Sequence, residues 1–220
     1  MDIDVTEPAA ADSAMRRRLL GIGLGGAAVS LLPFLVGRAN ATTPTTGPSD
    51  TATATTTTAP PKRPSDADVA LLGFSQTVEL AARNLYDVAL ATSVFQFDGD
   101  TKAVLATIRE SHDAYAASLS AILGRQAPQA VNPVFSTLQS SFGGDKKSIL
   151  DAAYAFESTA VATHIDVLRK LQGTDGATLI ASILIAEARH GTVLAYMNGS
   201  TELDKLLVDK EADALTPAGG

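Results

Sequence analysis

Glu79, His112, Glu157, Glu187 and His190 stand where apolar residues are expected. Glu79 falls in the stripe Leu72, Gln76, Glu79, Arg83, Tyr86, Leu90, which Val69 extends. His112 falls in Leu105, Ile108, His112, Tyr115, Leu119, Ile122, and Glu157 in Leu150, Tyr154, Glu157, Val161, His164, Leu168. Glu187 and His190 share Ile180, Ile183, Glu187, His190, Leu194, Met197. Steps of three and four residues put each stripe on one helix face. An unpaired buried charge costs several kcal/mol, so acids on such faces need a cation or one another. The order along the chain is Glu; His; Glu; then Glu187-Ala188-Arg189-His190, whose spacing points both side chains to one side. Carboxylates bridge and chelate iron or manganese, and imidazole supplies a neutral terminal ligand. Cysteine is absent. Any metal therefore has only oxygen and imidazole ligands, a set that suits iron, manganese or zinc. Disulfides, thiolate nucleophiles and a lipidated cysteine are excluded as well.

Four helices must position these residues. Ser65 and Asp68 form a capping-box-like pair that opens helix one, with Asp in place of the usual Glu. The chain breaks at Phe97-Asp98-Gly99-Asp100, Asp100 or Thr101 caps helix two, and Gly124 ends it. Residues 125–145 hold Pro128, Pro133, Gly143 and Gly144 and read as a long connection, with a short helix over 134–142. Helix three is expected over 146–172, a tight turn over 173–176 and helix four over 177–198. Asn198-Gly199 reads as a left-handed cap, and 202–210 as a last short helix. The two short loops make antiparallel hairpins and the long connection joins them. The expected fold is all-α: a four-helix bundle of two antiparallel hairpins linked by a long crossover.

The pattern resembles the ferritin-like di-iron carboxylate proteins, whose helices supply Glu, Glu-x-x-His, Glu and Glu-x-x-His in order. The resemblance spans about 65–198 and is nearest to exported bacterial ferritin-like domain proteins. It implies that Glu79, His112, Glu157, Glu187 and His190 occupy metal-ligand positions. It also implies that Tyr86, seven residues after Glu79, hydrogen-bonds a site carboxylate. One position departs from the family. Arg109 stands three residues before His112 where the family has Glu, and the adjacent Glu110 points about 100° away. Arg109 is expected to turn inward and pair with at least one of Glu79, Glu157 and Glu187 as a bidentate donor. The site would then hold at most one iron or manganese ion, or none if it is a relic. His164, seven residues after Glu157, reads as a core or rim histidine, with a substitute ligand as the other reading. Gln76 and Tyr154 read as packing or supporting groups.

Ahead of the bundle, Arg16, Arg17 and Arg18 precede an uncharged run over 19–36, and Ala39-Asn40-Ala41 supplies a small-x-small cleavage pattern. This is the order of a secretory signal. Arg16-Arg17-Arg18-Leu19-Leu20 resembles a twin-arginine motif, with Met15 replacing the usual Ser or Thr. The other reading is an uncleaved anchor, since the run is near the lower limit of roughly 17–25 residues that span a bilayer. Residues 42–64 are rich in Thr, Pro and Ala and read as an extended linker. The expected organisation is a signal peptide over 1–41, linker over 42–64, bundle over 65–200, and a short helix with a tail over 201–220. The expected location is exported, in the cell envelope or a periplasm-like space. Net charge is −7 with no basic stripe beyond the N-terminus, which argues against nucleic acid as a partner. An envelope protein or a second copy are the partners left open, with no membrane insertion after cleavage. Two functions fit: a metal-binding protein that handles metal or oxidants, or a non-catalytic bundle that binds a partner or ligand.

Overall fold

A computed structural model describes residues 62–92, 97–125, 132–207, 209 and 211–217. The expected signal peptide and nearly all of the expected linker lie outside the described residues. Helix α1 spans Asp66–Thr92 and α2 Gly99–Leu123. The crossover carries α3, Pro133–Leu138, and a 3₁₀ turn, Gln139–Phe142. Then follow α4, Lys146–Leu168, α5, Thr174–Met197, and α6, Leu203–Leu206. Among the described residues the fold is all-α, a four-helix bundle: α1 packs along α2, α4 along α5, and the crossover joins the two hairpins.

Local chemistry sets the ends. Ser65 and Asp68 form the expected reciprocal box: Asp68 N–H donates to Ser65 Oγ at 3.2 Å and Ser65 N–H to Asp68 Oδ2 at 2.9 Å. The buried Asp68 carboxylate also accepts Gln172 N–H at 2.8 Å and Gly173 N–H at 2.9 Å. Burial opposes its charge, but these backbone donors outweigh burial and hold its pKa below the ordinary aspartate value. The same bonds explain why α4 stops at Leu168 rather than at 172: the amides that would continue the helix are turned toward α1. Next to this clamp Asp175 N–H donates to the Lys62 carbonyl at 3.0 Å, and α5 starts at Thr174, three residues earlier than expected.

Helix α2 is capped by Asp98, not by Asp100 or Thr101. Asp98 Oδ1 accepts Thr101 N–H at 2.7 Å, and its other oxygen accepts Lys146 Nζ at 2.8 Å. Gly124 closes α2 in the left-handed region, φ 63°. The short helix expected over 134–142 divides into α3 and the 3₁₀ turn, which drives Phe142 into the bundle against Tyr86 and Phe156. At the other end Leu72, Leu119, Val167, Ile180 and Ile183 form an apolar cluster. Val69 stays outside it, 39% exposed. Arg83, expected in the inward stripe, lies at the α1–α2 edge and pairs with Asp113 at 3.2 Å. Helix α6 is shorter than 202–210. After it the chain lies back on the second hairpin: Thr192 Oγ1 donates to the Leu206 carbonyl at 2.8 Å, and Leu215 N–H to Thr163 Oγ1 at 2.9 Å.

Candidate metal centre

Between the two ends the four long helices bring six ionisable side chains together. Glu79 comes from α1, His112 from α2, Glu157 and His164 from α4, and Glu187 and His190 from α5. The first four and Glu187 are fully buried, and His190 is 5% exposed. All three histidines of the chain are here. His112 joins the halves: its Nδ1 lies 2.7 Å from Glu79 Oε2 and its Nε2 lies 3.0 Å from Glu157 Oε1. His190 Nδ1 is 3.3 Å from Glu157 Oε2. His164 Nδ1 is 2.7 Å from Glu187 Oε2, and its Nε2 faces Glu79 Oε1 at 3.3 Å without hydrogen-bond alignment. The Tyr86 hydroxyl donates to Glu157 Oε1 at 2.5 Å. Tyr86 also stacks on His112, with ring centres 5.7 Å apart.

The network sets the charge states. Burial works against the imidazolium of His112, but Glu157 and Glu79 outweigh it and raise its pKa well above the ordinary histidine value. His164 is raised in the same way, burial being outweighed by Glu187 and then Glu79. Glu157 is held below the usual carboxylate range: burial favours its neutral form, and His112 and His190 together prevail. Glu187 is pushed up to about 7 by burial, against the pull of His164 and with the added repulsion of Glu79 and Glu157. Two carboxyls of one cluster thus move in opposite directions because Glu157 has two imidazoles and a phenol against it and Glu187 has one imidazole.

The donors fit a divalent cation. One ligand atom each from His112, Glu157 and His190 lie within 4.8 Å of one another, as do atoms from Glu79, His112 and Glu187. Glu79 Oε1, Glu187 Oε1 and His164 Nε2 are buried with no hydrogen-bond partner. Buried polar atoms are nearly always satisfied, and a cation would satisfy these. Beside Glu157 and Glu187 a cavity of about 10 Å³, bordered by Gly191 and Leu207, has room for about one water.

Glu79, His112, Glu157, Glu187 and His190 therefore meet in one cluster, with Tyr86 against it. Arg109 does not reach it, a correction to the expected inward turn. Position 109 lies about 60° around α2 from His112. From there the guanidinium finds acids at the α1–α2 edge: Nε donates to Asp87 Oδ1 at 2.9 Å, and Nη1 lies 3.6 Å from Asp113 Oδ2. Asp87 and Asp113 at that edge hold the guanidinium, and the acids within face the three histidines instead. The ground for expecting at most one ion goes with it. Arg109→Ala is expected to leave the metal content per chain unchanged and to cost at most about 1 kcal/mol of stability, as for an exposed ion pair. Elemental analysis and urea unfolding of the variant check both. The residue that the sequence left undecided is His164. Its signal was its register, two helical turns after Glu157 on the same face.

Comparison with known families matches the ferritin-like domain over residues 67–200. Neither the curated proteins nor the solved structures gave a match. The matched span is more than half of the 220 residues and takes in the four long helices, all but the first residue of α1, with every member of the buried Glu–His cluster. The chain belongs to the ferritin-like domain family.

Proposed function

We propose that this protein is an exported ferritin-like protein that binds divalent iron or manganese in the core of its bundle and acts in metal or oxidant handling. The observation that carries the reading is the set of buried atoms with no hydrogen-bond partner, Glu79 Oε1, Glu187 Oε1 and His164 Nε2, inside a cluster of three carboxylates and three imidazoles. A bound iron or manganese ion supplies redox and Lewis-acid chemistry there. The chain's own residues do the rest. Tyr86 holds its proton against Glu157 and fixes that carboxylate's orientation. Phe142 and Phe156 close the crossover end of the cluster against water. Export rests on the arginine run, the uncharged segment and Ala39-Asn40-Ala41.

A second reading has its own support. The three histidines pair with the three glutamates and make a network that can neutralise itself. A bundle so stabilised could serve as an interaction module without metal. One experiment separates the two: purify the protein from the envelope fraction of its own source, sequence its N-terminus and count its metals. The proposal expects a chain beginning after Ala41 with at least one transition-metal ion. A metal-free chain that takes up no ferrous or manganous ion favours the second reading. An intact N-terminus refutes cleavage.

A further inference from the structure

The buried cluster meets the surface at the seam between α4 and α5. The cavity of about 10 Å³ there has Glu157 and Glu187 at its floor, Gly191 at its side, and Leu207 and Asp209 at its rim. Glu157 and Glu187 are fully buried, whereas Leu207 is 68% exposed, so the cavity leads from the core of the bundle to its outside. Its floor holds one carboxylate from each of the two groups whose ligand atoms converge, His112–Glu157–His190 and Glu79–His112–Glu187. Elsewhere the cluster is covered. Phe142 and Phe156 lie over the crossover end, and the apolar cluster around Leu72 and Ile183 fills the other. Ion pairs of Arg83 and Arg109 bridge the α1–α2 edge.

Gly191 keeps the seam open. It is buried within α5, where glycine weakens a helix relative to alanine. Its backbone is helical, so no left-handed conformation calls for glycine. A Cβ added there would stand 3.8 Å from Glu157 Cβ, an ordinary contact, so no clash calls for glycine either. What glycine leaves is room beside Glu157.

We infer that the seam at Gly191 is the entry by which ions reach the buried Glu157 and Glu187, and that Asp209 at its rim draws cations in. This rests on the metal-binding reading above and deepens it by fixing the substrate class. A space for about one water passes a single bare cation or a small inorganic oxidant, and no organic substrate. A carboxylate at the mouth of a narrow path raises the local cation concentration and speeds entry, most at low ionic strength. The segment after α5 sets the rim: Thr192 Oγ1 donates to the Leu206 carbonyl at 2.8 Å, next to Leu207 at the opening.

Cobalt(II) is the probe, because its visible absorption reports ligation by imidazole and carboxylate. Metal-stripped full-length protein is mixed with cobalt by stopped flow, and the uptake rate and final number of ions are read separately. Gly191→Leu is expected to fill the space of about one water and to slow uptake about tenfold or more, with the final number of ions unchanged. A folded Gly191→Leu protein that takes up cobalt at the wild-type rate overturns the entry. If leucine prevents folding, Gly191→Ala, which the 3.8 Å spacing admits, takes its place; it is expected to slow uptake severalfold, and an unchanged rate overturns the entry. Asp209→Lys is expected to slow uptake about tenfold at low salt and less at high salt. An unchanged rate at low salt overturns the role of Asp209. Release of cobalt to excess EDTA is expected at a rate independent of EDTA concentration, because the ion leaves alone; a rate proportional to EDTA overturns the size limit. If the wild type retains no cobalt, the metal-binding reading itself fails and the entry falls with it.

Discussion

In the absence of metal, Glu157→Gln is expected to unfold about 3–5 kcal/mol more easily than the wild type, the cost of breaking a buried ion pair from one side. Glu157 is fully buried and takes three groups: the Tyr86 hydroxyl at 2.5 Å, His112 Nε2 at 3.0 Å and His190 Nδ1 at 3.3 Å. Glutamine keeps the shape and removes the charge. His112 would then have Glu79 alone to hold its proton, and the amide nitrogen, being a donor, cannot satisfy the hydrogen that its side of the carboxylate accepted. The same change removes the carboxylate from the His112–Glu157–His190 group, so ion binding there should fall as well. Urea midpoints of chelator-treated proteins, with Arg109→Ala beside them as a variant outside the cluster, measure the effect. A loss below about 1 kcal/mol would show that the imidazoles are uncharged and the network is not ionic.

The second large effect is on pH. Metal-free protein should lose stability as pH rises from about 5 to 8, and metal should reverse the trend. His112 and His164 have folded pKa values above the ordinary histidine value. Their contribution is fully present below about 6.5, the unfolded value, and is lost as pH rises through the folded values. Glu187 is raised from 4.5 to about 7. It takes up a proton on folding across that interval, and stability falls accordingly, on the order of 3 kcal/mol at roughly 1.4 kcal/mol per unit. Glu157 has the opposite sign. Its folded pKa is depressed, so its contribution is present above the ordinary carboxylate value and lost as pH falls through the folded one. It therefore acts in strong acid and leaves the window from 5 to 8 to the raised groups. A divalent ion needs unprotonated imidazole and carboxylate, so binding strengthens with pH over the same window. Thermal unfolding of stripped and loaded protein at several pH values reads both slopes. A metal-free protein that gains stability from pH 5 to 8 would contradict the charge states described here.

Much of this was legible in the sequence because helical spacing is a rigid rule. The stripes that carry Glu79, His112, Glu157, Glu187 and His190 gave the bundle and the inward direction of those side chains, since three- and four-residue steps allow no other shared face. What periodicity leaves open is what a long side chain at the flank of a stripe finds when it bends. Arg109 was read by its charge, as the partner of buried acids. Its actual partners are Asp87 and Asp113, acids on the exposed flank of the first hairpin that no stripe marks. His164 was ambiguous for the converse reason: its face was clear, but whether it packs or pairs depends on Glu79 and Glu187 from two other helices. Helix ends erred where a distant group intervened. The end of α4 is set by a carboxylate 104 residues earlier in the chain, which no local propensity contains.

That carboxylate also decides where a mechanical load would go. Asp68 sits two residues inside α1, and it grips the amides of Gln172 and Gly173 in the turn between α4 and α5. Lys62, still nearer the N-terminus, is tied to Asp175 at the start of α5. A pull on the N-terminal end of α1 would first load bonds to the second hairpin. The start of the first hairpin is thereby fastened through the turn that the last two long helices share.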